Sequence, residues 1–421
     1  MVTATVQAKL NRNQIRGFFA AWGGWALDGM DSFIYALVMT PALRELLPRS
    51  GIPATTGNIG TYGGLLFALF LVGWGLSMLW GPLGDRFGRV RTLTLTIVCY
   101  SLFTFAGALA TNVWQLALFR LLAGVGIGGE WTLGGTFVAE EWPESRRKMG
   151  AGYMQTGYYV GTLLAALLNA WIGARYGWRA MFAVGGTPAL LVFLIQYGVH
   201  EPSRWKPAAS APMRMLFSDE YRRRTLLNAV YLFVSISGLW AGSVYVPSAV
   251  SFLSGKEGLN AADATRMASW ATVLLSVATI LGCLALPPMA ERWGRRWTLG
   301  AFFALMFFSI AVGFGYTYYL PQHALAWFLV MLAVLGFGGG NFTVYSLWLP
   351  EQYRTECRAS AFGFATSVGR FAAAGITLLV GWGVGRTGTI GFPVALTSIG
   401  FLAGMVLLPW GVETRGQELP E

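Results

Sequence analysis

Twelve stretches of mostly apolar residues, each long enough to cross a membrane, follow one another along the chain. That succession constrains the fold more than any other feature. They lie near 15–42, 59–84, 92–110, 114–139, 149–172 and 178–197, then near 223–253, 267–290, 297–318, 323–349, 359–385 and 390–411, and are called spans 1 to 12 below. A helix needs about 20 apolar residues to cross a ~30 Å hydrocarbon core. Inside lipid the chain must satisfy its own backbone polar groups. The runs are too long, and alternate too little, for a β-barrel. The expected fold class is all-α, a polytopic membrane protein of twelve transmembrane helices. Only 12% of residues are charged, against about 25% in a soluble domain.

Charge orients the series. With the N-terminus inside the cell, 21 of the 30 Lys and Arg fall on cytoplasmic segments, 7 on exterior loops and 2 within spans. Positive charge stays inside, so both termini are expected in the cytoplasm. The net charge of +11 then needs no nucleic-acid partner. A bacterial-type inner membrane, a monomer and no cleaved signal peptide are expected. Residues 198–222, GVHEPSRWKPAASAPMRMLFSDEYR, are polar and proline-bearing. They are expected to be a cytoplasmic linker between an N-terminal six-helix bundle (1–197) and a C-terminal one (223–421). Cys99, Cys283 and Cys357 show no metal spacing, and neither metal nor cofactor is expected.

The two halves repeat. GPLGDRFGRVR after span 2 and PPMAERWGRRW after span 8 pair Asp85 with Glu291, Arg86 with Arg292, Gly88 with Gly294 and Arg89 with Arg295. GGEWTLGGTFVAEEWPESRR meets GGNFTVYSLWLPEQYRTECR, pairing Glu140 with Glu351 and Arg147 with Arg358. The glycine run GVGIGG (124–129) lacks the strand–turn–helix setting of a dinucleotide site. It reads as close helix packing.

GPLGDRFGR resembles the signature of the loop between spans 2 and 3 in the major facilitator superfamily. FRLLAGVGIGGEW, VAEEWPESRR and YGWRAMFAVGGTPAL resemble its proton-coupled carriers of sialic acid, aromatic acids and monocarboxylates. The resemblance covers nearly the whole chain and implies two pseudo-symmetric six-helix bundles. It also implies that Asp85, Arg86 and Arg89 latch the cytoplasmic side, with Glu291 and Arg292 as their repeat counterparts. Glu140, Arg147, Glu351 and Arg358 would form a second set of latches.

Five charges fall within spans: Asp28, Asp31, Arg120, Glu130 and Arg370. Such residues are costly in the membrane and read as functional by default. Asp28 and Asp31, three residues apart, share a face of span 1. Two adjacent carboxylates in low dielectric do not both ionise easily, which suits a proton carrier. Arg120 on span 4 lies at comparable depth. Proton-coupled sugar porters of the superfamily pair an acid on span 1 with an arginine on span 4. The resemblance puts that pair on Asp31 and Arg120, with Asp28 the rival proton site. Glu130 is a second candidate proton site or a brace for the inner pathway. Its repeat partner is the neutral Asn341.

Arg370 sits near the middle of span 11, and no acid in the C-terminal spans matches it. It is expected to bind a substrate carboxylate through its planar fork. Gln155, Tyr159, Trp240, Asn341 and Tyr345 are expected to line the site, with Tyr158, Asn169, Ser237 and Tyr245 as further lining. At Gln155 the sugar-porter branch binds its substrate. The function expected is a secondary transporter, not an enzyme, carrying a small organic anion of monocarboxylate type with a proton by alternating access. Symport cancels the opposing membrane potential, ~2.3 kcal/mol per charge per 100 mV. A drug–proton antiporter and a neutral sugar–proton symporter of the same fold are the alternatives.

Overall fold

The computed structural model describes residues 10–190, 200–201, 212–417 and 419–420. Residues 198–199 and 202–211 of the 198–222 linker, and the end of span 6, lie outside these residues. Span 1 is one long helix, α1 (Arg12–Arg49), begun by a capping box in which Asn11 and Gln14 exchange hydrogen bonds. Span 2 runs from α2 (Thr56–Leu76) through a 3-10 turn into α3 (Trp80–Phe87). Then come α4 (Arg89–Ala108), α5 (Val113–Glu141), α6 (Glu144–Leu168) and α7 (Ala174–Gly185). The short α8 (Pro212–Met215) precedes span 7, which is α9 (Arg222–Ser243) and α10 (Val246–Lys256). Spans 8 and 9 are α11 (Ala261–Trp293) and α12 (Arg295–Gly315). Span 10 breaks at Gly340 and Asn341 into α13 (Ala324–Gly339) and α14 (Phe342–Trp348). Span 11 is α15 (Arg358–Thr387), and span 12 is α16 (Gly391–Leu396) with α17 (Ile399–Leu407).

The protein is therefore a twelve-span helical membrane protein. Eight of its described helical stretches are long and apolar enough to cross a membrane by composition alone. They include spans 2 to 4 and 8 to 12. Spans 1, 5 and 7 miss that threshold because they carry inward-facing polar groups, among them Asp28, Asp31, Gln155, Ser235 and Ser237.

Close backbone contact sets how the spans approach. A Cβ on Gly124 of span 4 would overlap the Phe70 carbonyl oxygen of span 2, so the GVGIGG run packs against a neighbouring backbone as its sequence indicates. Within the first repeat span 1 packs along span 5, and span 2 along span 4. The two repeats meet where span 2 lies against span 11 and span 5 against span 8. The repeat is visible in the backbone too. Gly88 and Gly294 both adopt positive φ, 113° and 88°, where the chain reverses between spans 2 and 3 and between spans 8 and 9.

Candidate functional site

All five intramembrane charges are buried. Arg120 reaches Asp31 with Nη1 3.3 Å from Oδ2. Its guanidinium carbon also lies 4.1 Å from the Phe70 ring centre and 5.0 Å from that of Tyr35. A cation on aromatic faces is stabilised without a second carboxylate. Asp28 differs from its neighbour. Neither of its oxygens has a hydrogen-bond partner among the described residues.

Glu130 reaches span 1 from span 4. Its Oε1 accepts from Thr96 Oγ1 at 3.1 Å, and its Oε2 lies where a Cβ on Gly24 would be. Three carboxyls therefore line span 1 at the levels of residues 24, 28 and 31. The steps are about 6 and 4.5 Å along the axis.

Arg370 enters from the opposite repeat. Its guanidinium carbon is 4.0 Å from the Trp74 ring centre and 5.7 Å from that of Trp131. Its Nε has no hydrogen-bond partner among the described residues. Asp28 is its electrostatic neighbour. Around them Trp25 stacks on Trp131 with centres 5.6 Å apart and an interplanar angle of 14°. Tyr158 lies 4.7 Å from Trp25. Trp240 approaches Trp74 at 6.0 Å, Phe67 at 5.1 Å and Phe33 at 6.0 Å. The site is a buried aromatic cluster, called the chamber below, that encloses the Arg370 guanidinium within the electrostatic reach of Asp28.

The anticipated lining residues divide. Trp240 belongs to the chamber. Gln155 is buried, and its Oε1 has no partner among the described residues. Tyr159 donates across the repeats to the Gly339 carbonyl at 3.3 Å. Asn341 is buried at the break in span 10, where its amide donates to the Gly338 carbonyl at 2.9 Å. Tyr345 is not delivered to the chamber. Beyond the break, α14 packs mainly against spans 5 and 8, and the Tyr345 side chain reaches span 7, where its hydroxyl donates to the Tyr231 carbonyl at 2.9 Å and bonds Ser235 Oγ at 2.7 Å. Trp25, Trp74, Trp131 and Phe67 were not anticipated. Position was the available signal: Trp25 stands three residues before Asp28, and Trp131 directly follows Glu130.

The second constellation is a charge network at the end of the molecule that holds the loop signatures. Arg89 Nη2 is 3.2 Å from Glu140 Oε1, and its repeat mate Arg295 is 2.8 Å from Glu351 Oε1. The same carboxylates reach across the repeats. Glu351 lies 3.6 Å from Arg147, and Glu140 lies 3.6 Å from Arg358. Lys148 adds a contact to Glu291 at 2.8 Å, and Glu291 also pairs with Arg295 at 2.7 Å.

Two expectations need correction. Arg86 and Arg292 are exposed and make no ion pair with this network among the described residues, while Arg89 and Arg295 are buried in it. The Asp85 side chain lies outside the described residues. Two acids were missed. Glu201 accepts from the backbone N–H groups of Arg89, Val90 and Arg91 at the start of span 3. Glu413 does the same for Arg295 and Arg296 at the start of span 9. An anion at a helix N-terminus is favourable.

Residues 21–377 match the family model described as Major Facilitator Superfamily. The chain belongs to the major facilitator superfamily. It is a membrane transporter and not an enzyme. The chain is 30% identical over 425 residues to the probable 4-methylmuconolactone transporter of Cupriavidus pinatubonensis, covering 96% of this chain and 91% of that one. It is 28% identical to the cis,cis-muconate transport protein of Acinetobacter baylyi, covering 91% and 93%. The niacin transporter of the same organism is 26% identical, covering 94% and 93%. Among solved structures, the superfamily's proton:xylose symporter XylE superposes with a TM-score of 0.75 at 19% identity, covering 97% of this chain and 98% of that one. That likeness concerns the fold.

Proposed function

We propose that this transporter carries a small, flat, unsaturated or aromatic carboxylate together with a proton, by alternating access between two six-helix bundles. Both termini and the 198–222 linker would face the cytoplasm, as the Lys and Arg distribution supports. One observation carries the reading: Arg370 is buried on the Trp74 face within the electrostatic reach of Asp28, whose two oxygens have no hydrogen-bond partner among the described residues. A substrate carboxylate would supply the guanidinium with parallel N–H···O bonds. The ring faces of Trp74 and Trp131 favour a planar π-system. Muconate and niacin, named for the relatives above, are flat unsaturated carboxylates.

Coupling follows from charge. The substrate anion and the Asp28 carboxylate compete for the field of one cation. When the anion arrives, Asp28 binds a proton, and the chamber keeps its net charge. Asp31 already has Arg120 as its counter-ion, which favours Asp28 as the coupling acid. Glu130, one turn away, would pass protons toward the latch end. Opening of the latch around Glu140 and Glu351 would release both cargoes to the cytoplasm.

The test is uptake into proteoliposomes of labelled nicotinate, benzoate and cis,cis-muconate. Arg370→Ala should lower transport of the preferred acid about a hundredfold, the counterpart of about 3 kcal/mol for a lost buried charge contact. Near-normal transport would remove Arg370 as the anchor. Asp28→Asn should retain substrate exchange and lose accumulation driven by a pH gradient. If Asp31→Asn alone has that phenotype, Asp31 is the coupling acid.

A further inference from the structure

Far from the transport chamber, a groove of about 760 Å³ runs down the outside of the molecule. Spans 8, 9 and 12 form it, through Trp293, Arg296, Trp297, Ala301, Met405 and Leu408. It lies at the same end as the Glu140–Glu351 network, since Arg295, which pairs with Glu351, directly precedes the lining residue Arg296 at the start of span 9. Three features stand together there. First, the floor is apolar and stays open because span 9 offers only Gly300 and Ala301 along it, and a Cβ on Gly300 would come within 3.1 Å of Leu408 Cδ1. Second, Trp293 at the end of span 8 and Trp297 in the first turns of span 9 stand exposed at the mouth, on either side of the chain reversal at Gly294. Tryptophan in that setting sits at the headgroup level of a bilayer. Third, Arg296 stands at the mouth between them. Its Nε is enclosed and has no hydrogen-bond partner, and it makes no ion pair, among the described residues. The nearby Glu413 is engaged by the backbone N–H groups of Arg295, Arg296 and Arg415.

We propose that this groove is a binding site for one anionic glycerophospholipid of the leaflet on the latch side. The phosphate sits on Arg296 between the two indoles, and one acyl chain lies over Gly300 and Ala301 against Met405 and Leu408. Charge complementarity selects the occupant. A zwitterionic lipid offers the same chains but brings its own cation to compete for the phosphate. A soluble anion offers nothing to the apolar floor. The lipid bridges spans 9 and 12 at the level where Glu413 caps span 9.

The experiment is native mass spectrometry of the full-length, delipidated protein. Phosphatidylglycerol and phosphatidylcholine of identical chains are added, with inorganic phosphate as a third arm. Wild type should retain phosphatidylglycerol about fivefold better than phosphatidylcholine, the factor set by one basic residue at a membrane surface. Arg296→Gln should bring the two lipids to parity. Ala301→Trp should lower retention of both by filling the floor. Equal retention by wild type, or a preference that survives Arg296→Gln, overturns the site. Unchanged retention in Ala301→Trp refutes the acyl-chain placement. Displacement of phosphatidylglycerol by millimolar inorganic phosphate would mark a free-anion site instead.

Discussion

A double-mutant cycle on Asp31 and Arg120 tests the buried pair that balances charge beside the chamber. The two groups are 3.3 Å apart, and both side chains are essentially inaccessible. At an effective dielectric of ~20 their attraction is about 5 kcal/mol, and breaking such a pair costs about 3–5 kcal/mol. The two single variants should nevertheless differ. Asp31→Asn leaves a guanidinium that cannot shed its proton, and only Phe70 and Tyr35 remain to support it. Those ring faces return about 2 kcal/mol when desolvated. Arg120→Gln leaves a carboxyl that can neutralise itself by binding a proton from solution. Asp31→Asn should therefore be the more destabilised at neutral pH, and the double variant should recover at least 2 kcal/mol relative to the sum of the singles. Thermal unfolding of purified protein in one detergent, read by intrinsic fluorescence, measures all four corners. Additive singles would show that the pair carries no coupling energy. An Arg120→Gln variant that melts below Asp31→Asn would refute the argument from the proton.

Three further outcomes follow from other contacts. Arg147→Gln with Arg358→Gln removes both 3.6 Å contacts that cross the repeats, while Glu140 and Glu351 keep Arg89 and Arg295. Thiol labelling of Ala139→Cys, which lies beside Arg147, should then speed up at least tenfold in a background free of Cys99, Cys283 and Cys357. Unchanged labelling would mean that these contacts do not hold that side shut. Gly124→Val forces a side chain into the Phe70 carbonyl and should cost at least 1–3 kcal/mol; a thermal midpoint equal to wild type would contradict the packing. At the opposite end, hydrogen bonds from Arg179 and then Trp178 hold the Glu45 carboxyl below its ordinary value of 4.5. The folded value is the lower one, so this contribution is complete above about pH 4.5 and is lost as pH falls below it. Glu45→Gln should show a shallower acid limb than wild type in melting temperature against pH, and parallel limbs would deny the clasp its role.

Membrane physics makes part of this molecule easy to read from sequence. The lipid core demands long apolar helices, so the spans stand out as runs, and the repeat offsets bring Arg89 and Arg295 into matching places on Glu140 and Glu351. The pairing of Asp31 with Arg120 was accessible because only a few charges occur at that depth. The aromatic chamber was harder to see. The chain holds 18 tryptophans, and a helix that faces lipid uses them as freely as one that faces a substrate. Trp171 is exposed and Trp74 is buried, yet neither carries a local mark that says so. Tyr345 failed for a different reason. Its position in span 10 suggested the centre, but beyond the turn at Gly340 and Asn341 its side chain is taken up by the Tyr231 carbonyl and Ser235 of span 7. Glu201 and Glu413 escaped because capping acts through backbone N–H groups, which sequence spacing does not display.

Symmetry separates the moving parts from the chemical ones. The network of Arg89, Glu140 and Arg358 is mirrored by Arg295, Glu351 and Arg147, down to equal crossing distances of 3.6 Å. Each carboxylate binds one arginine of its own repeat and one of the other, so neither repeat can move away without loosening both. The buried interior obeys no such rule. Glu130 faces the neutral Asn341 in the repeat, Asp28 and Asp31 correspond to Val234 and Ser237, and Arg370 has no acid in its own half's spans. A charge kept in both copies forms the network that both copies share. Charges kept in only one copy include the Asp31–Arg120 pair, whose two members balance each other, and, on the function proposed above, Asp28, Glu130 and Arg370, which would serve what is carried in the space between the repeats. The three acids lie on one side of that space and the unmatched cation on the other. On that proposed function, a proton held by the first repeat and an anion held by the second would act on the same closure, and loss of either should leave the latch intact while breaking their coupling.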